Sequence, residues 1–383
     1  MLAILAPGQG AQTPGFLASW LTDDTARAQL QTLSEVAGLD LAQLGTDADA
    51  DTIRQTDIAQ PLLVAAGVVA AERLLAGGPT PDVVAGHSVG EITAAAITGV
   101  LTPTEAMAFV ATRGRGMAAA SNVRPTSMMA VVGGNADEVL AAIEAAGLTA
   151  ANNNGPGQIV AAGTVEELGV LAADPPARAR LIQLSVAGAF HTVHMQPAVA
   201  TLEQLAATLS PHDPSTVLLS NADGRAIDNG TEFLRRLVSQ VGNPVRWDLC
   251  LDALRDLGVT GVLELPPAGT LTGIAKRNLK GVALFNLNTP DQLDDARAFV
   301  VALSARGQTV HAQCEQLVSG VMRRLVDRLP SADQRALARA LAAFTHAARE
   351  ELAAAPNERN TRRSPKRVTR TSAAPRRPRR QRR

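Results

Sequence analysis

A serine hydroxyl attacks a carbonyl only when a base takes its proton and hydrogen-bond donors hold the charge that develops. One serine in this sequence sits where both can be arranged. Gly86-His87-Ser88-Val89-Gly90 has G-x-S-x-G spacing, with apolar Val83, Val84 and Ala85 before it and "EITAAAITGV" after it. A strand feeding a helix through such a turn pushes the serine into a strained, exposed position at the helix N-terminus. The same residues also fit a plain strand–helix turn with an N-capping serine. Six histidines could supply the base: His87, His191, His194, His212, His311 and His346. His191, in "VAGAFHTVHM", follows a predicted strand at a domain junction, where ligand clefts form; His194 is an equally simple candidate. The first turn, "APGQGAQ", is either a tight strand–helix turn or a loop whose N–H groups face an oxyanion. A dinucleotide fingerprint is excluded there because position 13 is Thr13, not glycine. No His/Cys/Asp cluster has metal-ligand spacing, so no metal is expected.

These residues need a scaffold. Strand-like and helix-like segments alternate over the first ~120 residues, the pattern of an α/β layer with a parallel sheet. "AILAPG" reads as the first strand, "DIAQPLLVAAGVVAAERLLAG" as a helix leading to Ser88, and "TPTEAMAFVATRGRGMAAA" as a further helix capped by Thr102 or Thr104. Residues 124–190 then read strand–helix–strand–strand–helix–strand, the βαββαβ order of a ferredoxin-like domain, inserted into the larger one. The expected organisation is a large α/β catalytic domain over 1–123 and 191–296, the small domain over 124–190, a helical extension over 297–356 and a disordered basic tail over 357–383.

Composition narrows the class. Hydrophobic residues make up 46% of the chain and aromatics 2%, with no tyrosine, so an Ala/Leu/Val core is expected and base stacking on aromatic rings is not. Two cysteines, Cys250 and Cys314, are too few for a disulfide framework and fit a reducing cytoplasm. "MLAILAPGQG" lacks a basic n-region and a cleavage-like site, so it reads as a strand and not a signal peptide. No apolar run approaches membrane-span length without glycine, proline or charge, and no membrane partner is expected. The net charge of zero hides an asymmetry. Twelve of the 36 basic residues, with one acid, lie in Asn357–Arg383, leaving 24 basic against 35 acidic residues before them.

Several short motifs then point one way. "APGQGAQTPGF", "AGHSVGE", "RGRGM", "NNNGPGQIVAAG", "GAFHT", "NPVRW" and "PPAGTLTGIAKR" occur in the order seen in malonyl-CoA:acyl carrier protein transacylases, and acyltransferase domains of polyketide synthases share the pattern. The resemblance covers residues ~1–296. It implies a hydrolase-like parallel-sheet large domain with a ferredoxin-like insert. It also implies ping-pong transfer of a malonyl group from a coenzyme A thioester to the phosphopantetheine thiol of acyl carrier protein, without a cofactor, feeding fatty-acid synthesis. Ser88 is then the nucleophile and His191 the general base, oriented by the backbone carbonyl of Gln240. The N–H groups of Gln9 and Val89 make the oxyanion hole. Arg113 grips the malonyl carboxylate, with Phe190 and His87 also at the substrate. A guanidinium suits a carboxylate because it offers two parallel donors. Arg115, on another face of the same helix, is the residue most easily confused with Arg113. Phe190 resembles the malonyl-selective form of the family, and pocket size of that kind discriminates by only ~1–3 kcal/mol.

Beyond ~297, "DARAFVVALSARG" (Asp295 to Gly307) and the two amphipathic segments after it resemble the C-terminal part of MarR-type regulators, without their helix-turn-helix. Ser331 and Gln334 make a capping box for the second of these helices. Helices of this kind dimerise or dock on the body, whose catalytic part is expected to be monomeric. The Arg-rich end is expected to be solvated, with non-specific phosphate contacts as its only nucleic-acid role. Two other functions remain open on the residues: a serine hydrolase or thioesterase using the same elbow, and an acyltransferase of a polyketide or malonate-decarboxylase system.

Overall fold

Five consecutive residues at the start of the chain, Leu2–Ala6 (β1), are all buried and form a strand. Val83–Gly86 (β2) is likewise buried at every position. Unbroken apolar runs of this sort belong in a parallel sheet covered on both faces. The remaining strands are Thr126–Gly133 (β3), Thr149–Asn153 (β4), Gln158–Thr164 (β5), Ala179–Gln183 (β6), Val217–Leu219 (β7), Ala226–Ile227 (β8), Val245–Arg246 (β9), Gly261–Glu264 (β10) and Ala283–Asn286 (β11). The computed structural model describes residues 1–326 except 79 and 187, together with 328, 330, 333 and 334. Met1–Gln313 forms one unit and Cys314–Arg383 another.

The larger sheet has the order β11-β10-β1-β2-β7-β8. Its pairings are parallel except for β7 with β8. The order reverses direction around β1 and β2, and ligands of open α/β sheets bind beyond the strand C-termini at such a switch point. The turn after β1 and the Ser88 turn after β2 both lie at that edge. The fold is therefore the α/β class expected from the alternation of elements.

The smaller sheet has the order β6-β3-β5-β4-β9. Residues 126–183 supply four strands and two helices, Ala136–Ala145 and Val165–Ala173, in the sequence strand–helix–strand–strand–helix–strand. The fifth strand, β9, comes from the "NPVRW" segment of the returning chain and pairs in parallel with β4. Period-two alternation splits the faces of this sheet. Met129, Val131, Ile159 and Ala161 pack on its own helices, whereas Met128, Ala130, Val160 and Ala162 join the main core.

Helix Thr56–Leu75 is apolar on all sides and long enough by composition to cross a membrane, yet 78% of its apolar window is buried in the protein. It is a core helix, as all-round hydrophobicity requires. Helix Leu293–Leu303 spans the boundary expected at 296/297, and its Ala296 and Val300 are buried in the main core. The body thus continues to at least Leu303. The expected capping serine, Ser331, most of the second amphipathic helix and the basic tail lie outside the described residues.

Candidate active site

The turn after β2 carries Ser88 at φ +53°. A non-glycine residue in this region is strained, and such strain collects at functional sites. The flanking glycines make the turn possible. A Cβ on Gly86 would lie 2.0 Å from the Gly90 carbonyl group, and one on Gly90 would lie 2.2 Å from the Ala6 oxygen. Helix Gly90–Ile97 follows at once, so strand and helix are in backbone contact around the serine.

Ser88 Oγ lies 2.7 Å from His191 Nε2. His191 itself is at φ +62° and buried. Its Nδ1 lies 2.8 Å from the backbone oxygen of Gln240. That carbonyl can only accept, so Nδ1 carries the proton and Nε2 presents its lone pair to the serine. Burial, and then the positive charge of Arg113, push the imidazole down from 6.5 to about 3, so at physiological pH it is neutral and carries only the Nδ1 proton. His194, in the next short turn, is half-buried and uses its backbone N–H on Thr192. The imidazole that meets Ser88 belongs to His191.

Arg113 projects from helix Pro103–Ser121, which is capped by a Thr102/Glu105 box. Its guanidinium is 1% exposed. Nη1 donates to Gln60 Oε1 at 2.7 Å and Nη2 to Gln240 Oε1 at 2.8 Å, with Nη2 also 3.5 Å from Ser88 Oγ. Burial lowers its pKa to about 10, which still leaves it charged. Arg115 turns elsewhere and donates to the Ala37 carbonyl at 3.4 Å. The two arginines of "RGRGM" are therefore separated by helix face.

A cavity of about 260 Å³ opens over Ser88. Gln9, His87, Phe190 and His191 line it, together with Met128 and Val160 from the small sheet. An apolar hollow with a few convergent polar groups is the usual form of a ligand site. His87 is half-buried, with Nε2 2.9 Å from Asn154 Oδ1 and its ring edge-on to Trp247 at 5.4 Å. Loss of water around the ring lowers its pKa from the ordinary value. The Ser88 N–H donates to Asn221 Oδ1 at 2.7 Å. Val89 is fully buried.

Four participants were not singled out from the sequence: Gln60, Glu91, Asn221 and the side chain of Gln240. Asn221 Nδ2 donates to the Gly86 carbonyl at 2.7 Å, and its backbone N–H donates to Glu91 Oε1 at 2.6 Å. Gln240 Nε2 donates to Glu91 Oε2 and, at 3.2 Å, to the Ser88 carbonyl. A signal existed for Gln60 and Glu91. Each is a lone polar residue in an apolar helical run, and a buried polar group must find a partner. Among the described residues no group of three or more His, Cys, Asp and Glu could hold a metal ion.

Residues 5–320 match the family model described as an acyl transferase domain. The match includes Asp295–Gly307, the segment whose sequence resembles MarR-type regulators. The malonyl CoA-acyl carrier protein transacylase of Mycobacterium tuberculosis is 49% identical over 300 residues, covering 77% of this chain and 99% of that protein. A crystal structure of MCAT from Mycobacterium tuberculosis superposes with a TM-score of 0.75, at 49% identity, over 78% of this chain and 99% of the other. A type II PKS acyl-carrier protein in complex with its malonyl-transacylase gives a TM-score of 0.73 at 28% identity, over 78% of this chain and 99% of that one.

Proposed function

Because the chain belongs to the acyl transferase domain family, we propose that it transfers malonyl from coenzyme A to the phosphopantetheine thiol of an acyl carrier protein through a Ser88 ester. The observation that carries this reading is the continuous contact from the Gln240 carbonyl through His191 to Ser88, with a buried guanidinium 3.5 Å from the same hydroxyl. A hydrolase needs the first part. An unsubstituted acyl group has no use for the second.

In the first half-reaction Ser88 Oγ attacks the thioester carbonyl and passes its proton to His191 Nε2. The N–H groups of Gln9 and Val89 receive the oxyanion, a contribution of about 3 kcal/mol per donor. Collapse expels the coenzyme A thiolate, which takes the proton from His191. The carrier-protein thiol then gives its proton to the same nitrogen, attacks the ester, and returns Ser88 as a hydroxyl. Arg113 pairs with the free carboxylate, one methylene away from the acyl carbonyl. That pairing screens the positive charge that depresses His191, so the bound substrate itself makes the base stronger. Phe190 and His87 bound the acyl chamber. The route draws on no coenzyme beyond its two thiol substrates, and we assign it to the cytoplasm and to fatty-acid synthesis.

The test is intact-protein mass after mixing with malonyl-CoA, with S88A and acetyl-CoA as controls. A malonyl adduct that S88A lacks and that passes to holo acyl carrier protein is the expected result. An adduct lost to water with carrier protein present would instead mark a thioesterase.

A further inference from the structure

We propose that Glu91 is a specificity-determining positioning residue: through the side-chain amide of Gln240 it aims Arg113 at the carboxylate of the incoming acyl group. This rests on the malonyl-transfer reading above. The chain is short and every member is buried: Gln60, Glu91 and Arg113 are each 1% exposed and Gln240 is 6% exposed.

A primary amide is two-sided, and which side faces Arg113 decides whether it attracts or repels. Both Glu91 oxygens act as acceptors, one from the Asn221 N–H at 2.6 Å and one from Gln240 Nε2. Gln240 must therefore turn its NH₂ toward Glu91 and the Ser88 carbonyl, which leaves Oε1 for Arg113 at 2.8 Å. Gln60 Oε1 holds the other end of the guanidinium at 2.7 Å, and the Gln60 amide nitrogen rests on Met117 Sδ at 3.4 Å. Two acceptors thus clamp a cation that no carboxylate among the described residues touches, and its charge stays available to a ligand. A carboxylate touching Arg113 would compete with malonyl. Glu91, one amide removed, orients the cation without neutralising it. Asn221 reaches Glu91 from the elbow side, so Glu91 also supports the turn that carries Ser88. The two roles differ in their readout: loss of elbow support slows every acyl donor alike, and loss of aim slows only donors bearing a carboxylate.

The experiment is single-turnover acylation of full-length protein by malonyl-CoA and by acetyl-CoA, followed by intact mass, for wild type, E91Q and Q240L. Wild-type malonylation tests the transfer reading independently of the variants. In E91Q the new amide must still accept from the Asn221 N–H, so its NH₂ confronts Gln240, which flips and turns a donor toward Arg113. The expected result is malonylation slowed by about tenfold or more, the scale of one charge-assisted hydrogen bond, with acetylation within about threefold of wild type. Q240L, which keeps the backbone carbonyl for His191, should show the same change in ratio and decides the matter if E91Q fails to fold. Adding E91Q to R113A should leave the malonyl-to-acetyl ratio where R113A sets it. An unchanged ratio in folded E91Q or Q240L, or an equal fall for both donors, overturns the proposal.

Discussion

Arg113 and His191 are coupled through space, and their variants should separate binding from proton transfer. R113A is expected to cut malonyl acylation by about a hundredfold, because a buried charge-assisted pair is lost. R113K should recover little of it, since an ammonium cannot span Gln60, Gln240 and the ligand together. Comparison of kcat/KM for malonyl- and acetyl-CoA measures both effects. His191 stays neutral down to about 3. The kcat/KM profile for malonyl-CoA should therefore show no inflection at the ordinary histidine value of 6.5, and an acid limb starting there would contradict the burial of the base. At this scale the sequence was legible where short motifs carry the chemistry. Ser88 stood out from its G-x-S-x-G turn, while the histidine of "GAFHT" and the first arginine of "RGRGM" were named through the family resemblance; the structure places the three side by side. Asn221 could not be named, and Gln60 and Glu91 showed only as polar residues in apolar helical runs, since the importance of all three lies in which atoms the fold sets opposite them. Gln240 was named for its backbone, while its side chain supplies half of the Arg113 clamp.

The elements place these groups through backbone approaches that leave no room for a methyl group. The Cβ of an alanine at position 90 would meet the Ala6 carbonyl at 2.2 Å, so strand β1 and the elbow helix cannot both keep their places. G90A should cost about 3 kcal/mol or more and lower the melting temperature, with loss of acylation in whatever fraction folds. Ser88 and His191 both sit at positive φ, a conformation that short motifs can signal only indirectly. The succession of elements over 124–190 was read along the chain from segment periodicity, and the two helices there start at the caps Asn135 and Thr164; the order in which the strands pair was not read. Strand β9 was not readable: two residues are too few to show a period, and only the neighbouring edge of β4 makes them a strand.

One buried group of the site should shape the pH dependence of the whole fold. Burial lowers His191 from 6.5 to about 3, so the unfolded chain holds more protons than the folded state between those values and stability is lost as pH drops through that window. Melting temperatures measured from pH 8 down to pH 4 should fall on the acid side. Every residue of the site lies within Met1–Gln313, so a chain ending at residue 326 should retain malonyl transfer within about twofold. The same truncation should abolish any salt-sensitive adsorption to nucleic acid contributed by the Arg-rich end. Strand β9 carries a last consequence, for anyone who would treat the small sheet as a transplantable part. Residues 126–183 do not close their own hydrogen-bonding boundary; the parent chain does so, sixty residues downstream, by laying Val245 and Arg246 against Asn152 and Asn153. Cut out and grafted elsewhere, the piece would present a bare β4 margin ready to recruit a foreign strand, and its first property in solution would be self-association.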